Sequence, residues 1–148
     1  MMKYLKVVLL LAISLSFIAC EKETQKGASK VHWDRDMCSR CVMVVSDRKN
    51  TVQVKNPDTQ KTYMFDDIGC MVLWFEEEGL GWQDKAIVWI TDVDTGEFID
   101  ARVAFYDTNN VTPMAYGFSA NKTKEVIKEG EEIISYDEVV KRVKKIGQ

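Results

Sequence analysis

Histidine is almost missing from this chain: 148 residues contain one, His32. A metal site built here must therefore use thiolate and thioether rather than imidazole, and soft donors of that kind select Cu(I) before hard ions such as Mg²⁺ or Ca²⁺. Proline is scarce too, with two residues beside eight glycines, which argues against a long disordered body. Clustered positive charge is lacking. The formal net charge is −3, and the one dense basic run, Lys141-Arg142 with Lys144-Lys145, falls in a charge-rich helical pattern that reads as a solvated face. Nucleic acid is thereby excluded as a partner, because phosphate contacts need grouped Lys and Arg. No apolar run is long enough for a comfortable membrane span; the longest, Val7 to Ala19, falls short of the roughly 20 residues required.

What is present begins with an export signal. Met1 to Lys6 is short and positive, Val7 to Ala19 is apolar, and the small residue Ala19 precedes Cys20. Phe17-Ile18-Ala19-Cys20 resembles the lipobox of bacterial lipoproteins, with Phe17 where leucine is commoner. On that resemblance residues 1–19 are a signal peptide and Cys20 is the lipidated first residue of the mature chain. Residues 20–32 form a flexible polar tether, and the protein stands on the periplasmic side of a bacterial membrane, anchored without spanning it. A plain secretory signal is the alternative.

The sulfur is concentrated. Met37, Cys38, Cys41 and Met43 lie within one short stretch, Asp36 to Met43. With Cys20 lipidated, Cys38, Cys41 and Cys70 remain, an odd count that flags a free or metal-binding thiol outside the cytoplasm. C-x-x-C by itself fits a metal site, a redox dithiol or a structural disulfide. A structural zinc site needs a second Cys/His pair, and only Cys70 and His32 are left to supply one, so zinc is not expected. A thioredoxin-like dithiol would follow a strand at a helix N-terminus, whereas Val42 to Val45 here reads as strand. In an extended segment Cys41 and Met43 point to the same side and can offer thiolate and thioether to one ion; Met43 is equally readable as core. Met114, on the loop after Pro113, stands between the same two readings. Cys70 reads as a buried, inert thiol.

The remaining pattern predicts an α+β domain over residues 33–148. Thr51 to Val54 and Lys61 to Phe65 form a hairpin about Asn56-Pro57-Asp58. Asp66 caps a helix that runs to Glu78 and stops at Gly79, and Ala86 to Thr91 is a strand. Phe98 to Phe105 and Ala115 to Phe118 are paired strands, and Ser119 caps a helix through Thr123 to Ile127. A short strand, Glu132 to Ser135, precedes a terminal helix, Asp137 to Ile146. Tyr63-Met64-Phe65-Asp66 and Tyr116-Gly117-Phe118-Ser119 share a Tyr-x-Phe-cap pattern, suggesting two related ββαβ units, 33–95 and 96–148.

The ordered set Cys38-x-x-Cys41-x-Met43, Phe65-Asp66-Asp67-Ile68-Gly69-Cys70-Met71, Asp100-Ala101 and Thr112-Pro113-Met114 resembles the NosL family of lipoprotein copper chaperones, from about Met37 to Ala120. The resemblance implies paired ββαβ units similar to part of organomercurial lyase, no enzymatic turnover, and one Cu(I) held by sulfur. Carried over by motif, the thiolate is Cys41, the thioethers are Met43 and Met114, and Cys38 is next in line. The implied partner is a copper-acceptor protein in the assembly of nitrous oxide reductase, served by a monomer. Many relatives have glycine where this chain has Val42. The competing expectation is an enzyme using Cys38 and Cys41, either a thiol-disulfide oxidoreductase or a carbon–mercury lyase with Asp66, Asp67 or Asp100 as proton donor.

Overall fold

The computed structural model describes residues 27–147; the signal peptide and Cys20 lie outside them. The first half is a four-stranded antiparallel sheet of β1 (Val52–Lys55), β2 (Thr62–Phe65), β3 (Ile87–Thr91) and β4 (Phe98–Asp100), in the order β2-β1-β3-β4, with helix α1 (Ile68–Glu78) between β2 and β3. The second half is a three-stranded sheet of β5 (Phe105–Asp107), β6 (Ser119–Asn121) and β7 (Ile133–Ile134), ordered β6-β5-β7, followed by α2 (Tyr136–Ile146). All strand pairings within the two sheets are antiparallel. The α+β class and the terminal helix are as the sequence predicts.

Central position explains the composition of β1. All four of its residues are buried. Val52 and Val54 face the core, and Gln53 on the intervening position is satisfied by the chain before the sheet: its Nε2 donates to the Ser29 carbonyl and its Oε1 accepts from the Ser29 N–H, both at 2.7 Å. Ser29 Oγ also meets Thr62 Oγ1 at 3.0 Å, and Val31 is buried. The tether expected through residue 32 therefore ends by Ser29. The first sheet likewise passes the expected unit boundary at residue 95, because β4 pairs with β3.

Helix α1 begins at Ile68, one residue later than an Asp66 cap implies, and reaches Glu78 as predicted; Gly79 ends it at φ 58° with its N–H on the Phe75 carbonyl. Its apolar residues pack on β2: the Trp74 ring centroid lies 4.8 Å from Tyr63 and 5.2 Å from Phe65. Aromatic packing of this kind fixes the angle at which the helix leaves the strand. Val139 and Val143 of α2 complete the core, while Lys141 and Lys145 stay exposed and Arg142 pairs with Glu132 and Glu138.

The predicted strand Phe98 to Phe105 is two strands in different sheets. Asp100 Oδ1 accepts the Arg102 N–H at 2.9 Å, a local turn that competes with the ladder. Ala115 to Phe118 is not a strand, since Ala115 and Gly117 take φ of 59° and 83°. The partner of β5 is instead β6, so Ser119 sits in a strand with its hydroxyl on Asn50 Oδ1 at 2.9 Å rather than capping a helix. The expected helix there is one 3₁₀ turn, Lys124–Val126. The second half thus keeps the order strand, strand, helical turn, strand, with the turn much shortened.

Candidate metal centre

The C-x-x-C segment is a tight loop. The Cys38 N–H donates to the Met43 carbonyl at 2.8 Å, the Val42 N–H returns to the Cys38 carbonyl at 3.1 Å, and the Ser39 N–H is tied to the Met64 carbonyl of β2 at 2.7 Å. Val42 closes the loop at φ 62°. The expected strand from Val42 to Val45 is reduced to one bridge, Met37 with Val44. The extended geometry that would put Cys41 and Met43 on one side is interrupted at Val42, because a left-handed residue turns the chain. Glycine takes that conformation freely.

The loop lies against the corner where β2 meets α1. There the helix cap is Asp67, not Asp66: Asp67 Oδ1 accepts the Gly69 N–H at 2.9 Å. Its Oδ2 accepts the Met114 N–H at 3.1 Å, which docks the Thr112-Pro113-Met114 loop on the same corner. Gly69 faces the Tyr116 ring so closely that an added Cβ would lie 2.1 Å from it. Moving the cap by one residue sets Asp66 free of the helix and brings Cys70 into the first turn.

Four side chains converge. The Sγ atoms of Cys38, Cys41 and Cys70 and a carboxylate oxygen of Asp66 all lie within 4.8 Å of one another. Cys38, Asp66 and Cys70 are buried, and Cys41 is partly exposed. The Cys41 thiol donates to Asp66 Oδ2 at 3.4 Å. Electrostatically the thiols are unequal. The Cys70 thiol donating to Cys38 holds Cys38 well below the ordinary thiol range, against the effect of burial and with help from the N–H groups of Cys41, Asp66 and Arg40. Burial pushes Cys41 up to about 11, with the negative Cys38 beside it adding to the shift. Cys70 is pushed up first by its bond to Cys38 and then by burial. Burial also raises Asp66, and Cys38 raises it further. The arrangement favours one thiolate, Cys38, surrounded by groups that can lose protons to an incoming cation. Arg40 stands at the rim, its guanidinium gripped by Glu77 at 2.7 and 3.0 Å.

Of the residues singled out from the sequence, Cys38 and Cys41 are brought together. Met43 is half-exposed beside them, its carbonyl on the Cys38 N–H. Met114 is partly buried, packed against the core and tethered to Asp67. Cys70 is buried, as expected, yet it shares the cluster rather than standing inert. Sequence reasoning read Asp66 as the helix cap and a candidate proton donor rather than a metal ligand, and set Cys70 aside as a buried inert thiol. Counting from Asp67 as the cap would have put Cys70 in the first helical turn.

Two small antiparallel sheets with a buried thiol and carboxyl cluster at a strand-to-helix corner define an α+β protein equipped to hold a thiophilic metal. Comparison of the sequence with family models and with curated proteins finds no match. Comparison of the fold does: the crystal structure of the copper chaperone NosL from Shewanella denitrificans is similar with a TM-score of 0.63 over 75% of this chain and 94% of that one, at 13% identity. The fold is therefore shared with that copper chaperone.

Proposed function

We propose that this chain is a Cu(I)-binding metallochaperone, tethered through Cys20 to the periplasmic side of a bacterial membrane, that hands copper to an acceptor protein in nitrous oxide reductase assembly. The observation that carries the reading is the convergence of Cys38, Cys41 and Cys70 at one corner of a fold shared with a copper chaperone. Thiolate donors suit Cu(I). Cys38 offers a ready thiolate, and Cys41, the thiol with partial solvent access, is the ligand that an acceptor's donor atom, binding to the ion, displaces. Met43 and Met114 serve as exchangeable thioethers at the mouth, weak enough to release the ion. Copper is cargo here, and no turnover is involved.

The test is anaerobic Cu(I) titration of the reduced protein against a chromophoric Cu(I) chelator. One equivalent should bind tightly, Cys41→Ser should lower the affinity by at least about tenfold, and Met114→Ala should speed loss of copper to a competing thiol. A protein that takes up no Cu(I), or whose cysteines are locked as a disulfide resistant to reduction, would refute the reading.

A second reading is favoured by one feature, the buried Asp66 carboxyl on the Cys41 thiol. A carboxyl so placed is the proton donor that a carbon–mercury lyase needs beside its thiols. Release of hydrocarbon from an organomercurial, lost in Asp66→Asn, would support it over the carrier.

A further inference from the structure

The residue count from sequence excluded zinc because no second Cys/His pair completes a set of four ligands. The fold supplies the fourth donor as a carboxylate. We propose that this corner has a second mode of occupancy, in which Cys38, Cys41 and Cys70 with Asp66 close around a tetrahedral thiophilic dication of the Zn²⁺ or Cd²⁺ class. The mode uses the thiols of the proposed copper site and adds Asp66, which the copper reading does not require.

Three observations carry it. The first is distance. Bonds of about 2.0–2.3 Å to a tetrahedral ion put neighbouring ligand atoms roughly 3.5–3.8 Å apart, and the four donor atoms already lie within 4.8 Å of one another. Closing the cage takes shifts of about 1 Å, within what a side-chain rotation provides. The second is how the donors are mounted. Asp66 and Cys70 sit on a corner made rigid by the Asp67 cap and the Tyr116 ring over Gly69, while Cys38 and Cys41 belong to a loop that can adjust around the ion.

The third is the idleness of Asp66 in the fold. The helix cap is its neighbour, and the side-chain partners of Asp66 are the three site thiols. Asp66 is 2% exposed, and weak thiol donors such as Cys41 compensate its buried carboxyl only in part; a dication does so directly. Charge separates the two modes. Three thiolates and a carboxylate around a dication leave two net negative charges, with the Arg40 guanidinium nearby. A monovalent ion in the same cage would leave three, so Cu(I) is served better by sulfur alone. On dication binding Cys38 ligates as the thiolate it already is, Cys41 and Cys70 give their protons to solvent, and the ion sheds its waters; no electron moves.

The experiment uses the reduced full chain under anaerobic conditions. Co²⁺ serves as the spectroscopic probe, Zn²⁺ is measured by competition against a chromophoric chelator, and Cu(I) is titrated in parallel. Wild-type protein should give the intense ligand-field bands of tetrahedral Co²⁺ with thiolate charge transfer, abolished by one equivalent of Zn²⁺. Asp66→Asn should weaken Zn²⁺ by at least about tenfold and Cu(I) by a distinctly smaller factor. A weak octahedral Co²⁺ spectrum in the wild type overturns the proposal whatever the variant does. So does Zn²⁺ affinity unchanged in Asp66→Asn. If Asp66→Asn fails to fold, Asp66→Glu and the wild-type spectrum decide. Cu(I) binding without Co²⁺ or Zn²⁺ sinks this inference alone, whereas Zn²⁺ binding without Cu(I) sinks the copper reading alone.

Discussion

Val42 shows how far one residue can depart from what its position asks. It holds φ at 62°, with its side chain 67% exposed, so it pays for a left-handed turn without burying an apolar group in return. A β-branched residue there is strained, at a cost on the order of 1–3 kcal/mol. Glycine relieves the strain but adds unfolded-state entropy of roughly 0.5–1 kcal/mol. Val42→Gly should therefore stabilise the protein by about 1 kcal/mol in urea unfolding. A variant less stable than wild type would show that the loop needs the isopropyl group. Sequence reading placed Cys38 and Cys41 together because their spacing forces proximity, but it treated Val42 as extended. Nothing in the residue type announces a positive φ in valine; the hydrogen bonds that impose it come from Cys38 on both of its backbone groups.

Among elements, α1 organises the site. Its boundaries were legible because apolar spacing, an aspartate before it and Gly79 after it agree. The residue-level position of the cap was not, since two adjacent aspartates satisfy the same rule and the choice is made by Met114, whose N–H also needs the Asp67 carboxylate. Asp67→Ala should lose both bonds, and with them about 2 kcal/mol, and should loosen the Met114 loop enough to raise protease sensitivity there. The second half was less legible. Its strands are two or three residues long, and left-handed residues at Ala115 and Gly117 leave no alternation to read. The close approach of Gly69 to Tyr116 gives an independent check on how the halves meet. Gly69→Ala should cost about 1–3 kcal/mol by overpacking, and Tyr116→Ala in the same chain should recover part of it. Additive losses in that double-mutant cycle would mean the ring is not what Cβ meets.

At the scale of the whole molecule, the two sheets are joined through Asp92. It forms a parallel bridge with Ala120, and Val93 donates its N–H to the Ala120 carbonyl at 2.8 Å. The Asp92 carboxylate accepts from the Lys122 N–H at 2.7 Å and from the N–H groups of Asp94 and Thr95, each at 2.9 Å. Burial opposes the charge, but the donors from Thr95, Lys122 and Asp94 outweigh it and hold the Asp92 carboxyl below its usual range. A depressed folded-state pKa means the charged form stabilises the fold at every pH above the unfolded value of about 3.9, and this contribution is lost as pH falls through the lower folded value. Asp92→Asn should therefore be less stable than wild type near neutral pH, by about 1–3 kcal/mol for a buried charged acceptor. The gap should narrow as the medium is taken below pH ~4. A gap independent of pH would assign the loss to amide geometry rather than charge. Because the Met114 loop belongs to the second half and the thiols to the first, the proposed copper site predicts that the same variant also quickens copper loss to a competing thiol at neutral pH, linking the seam between the sheets to the candidate metal centre.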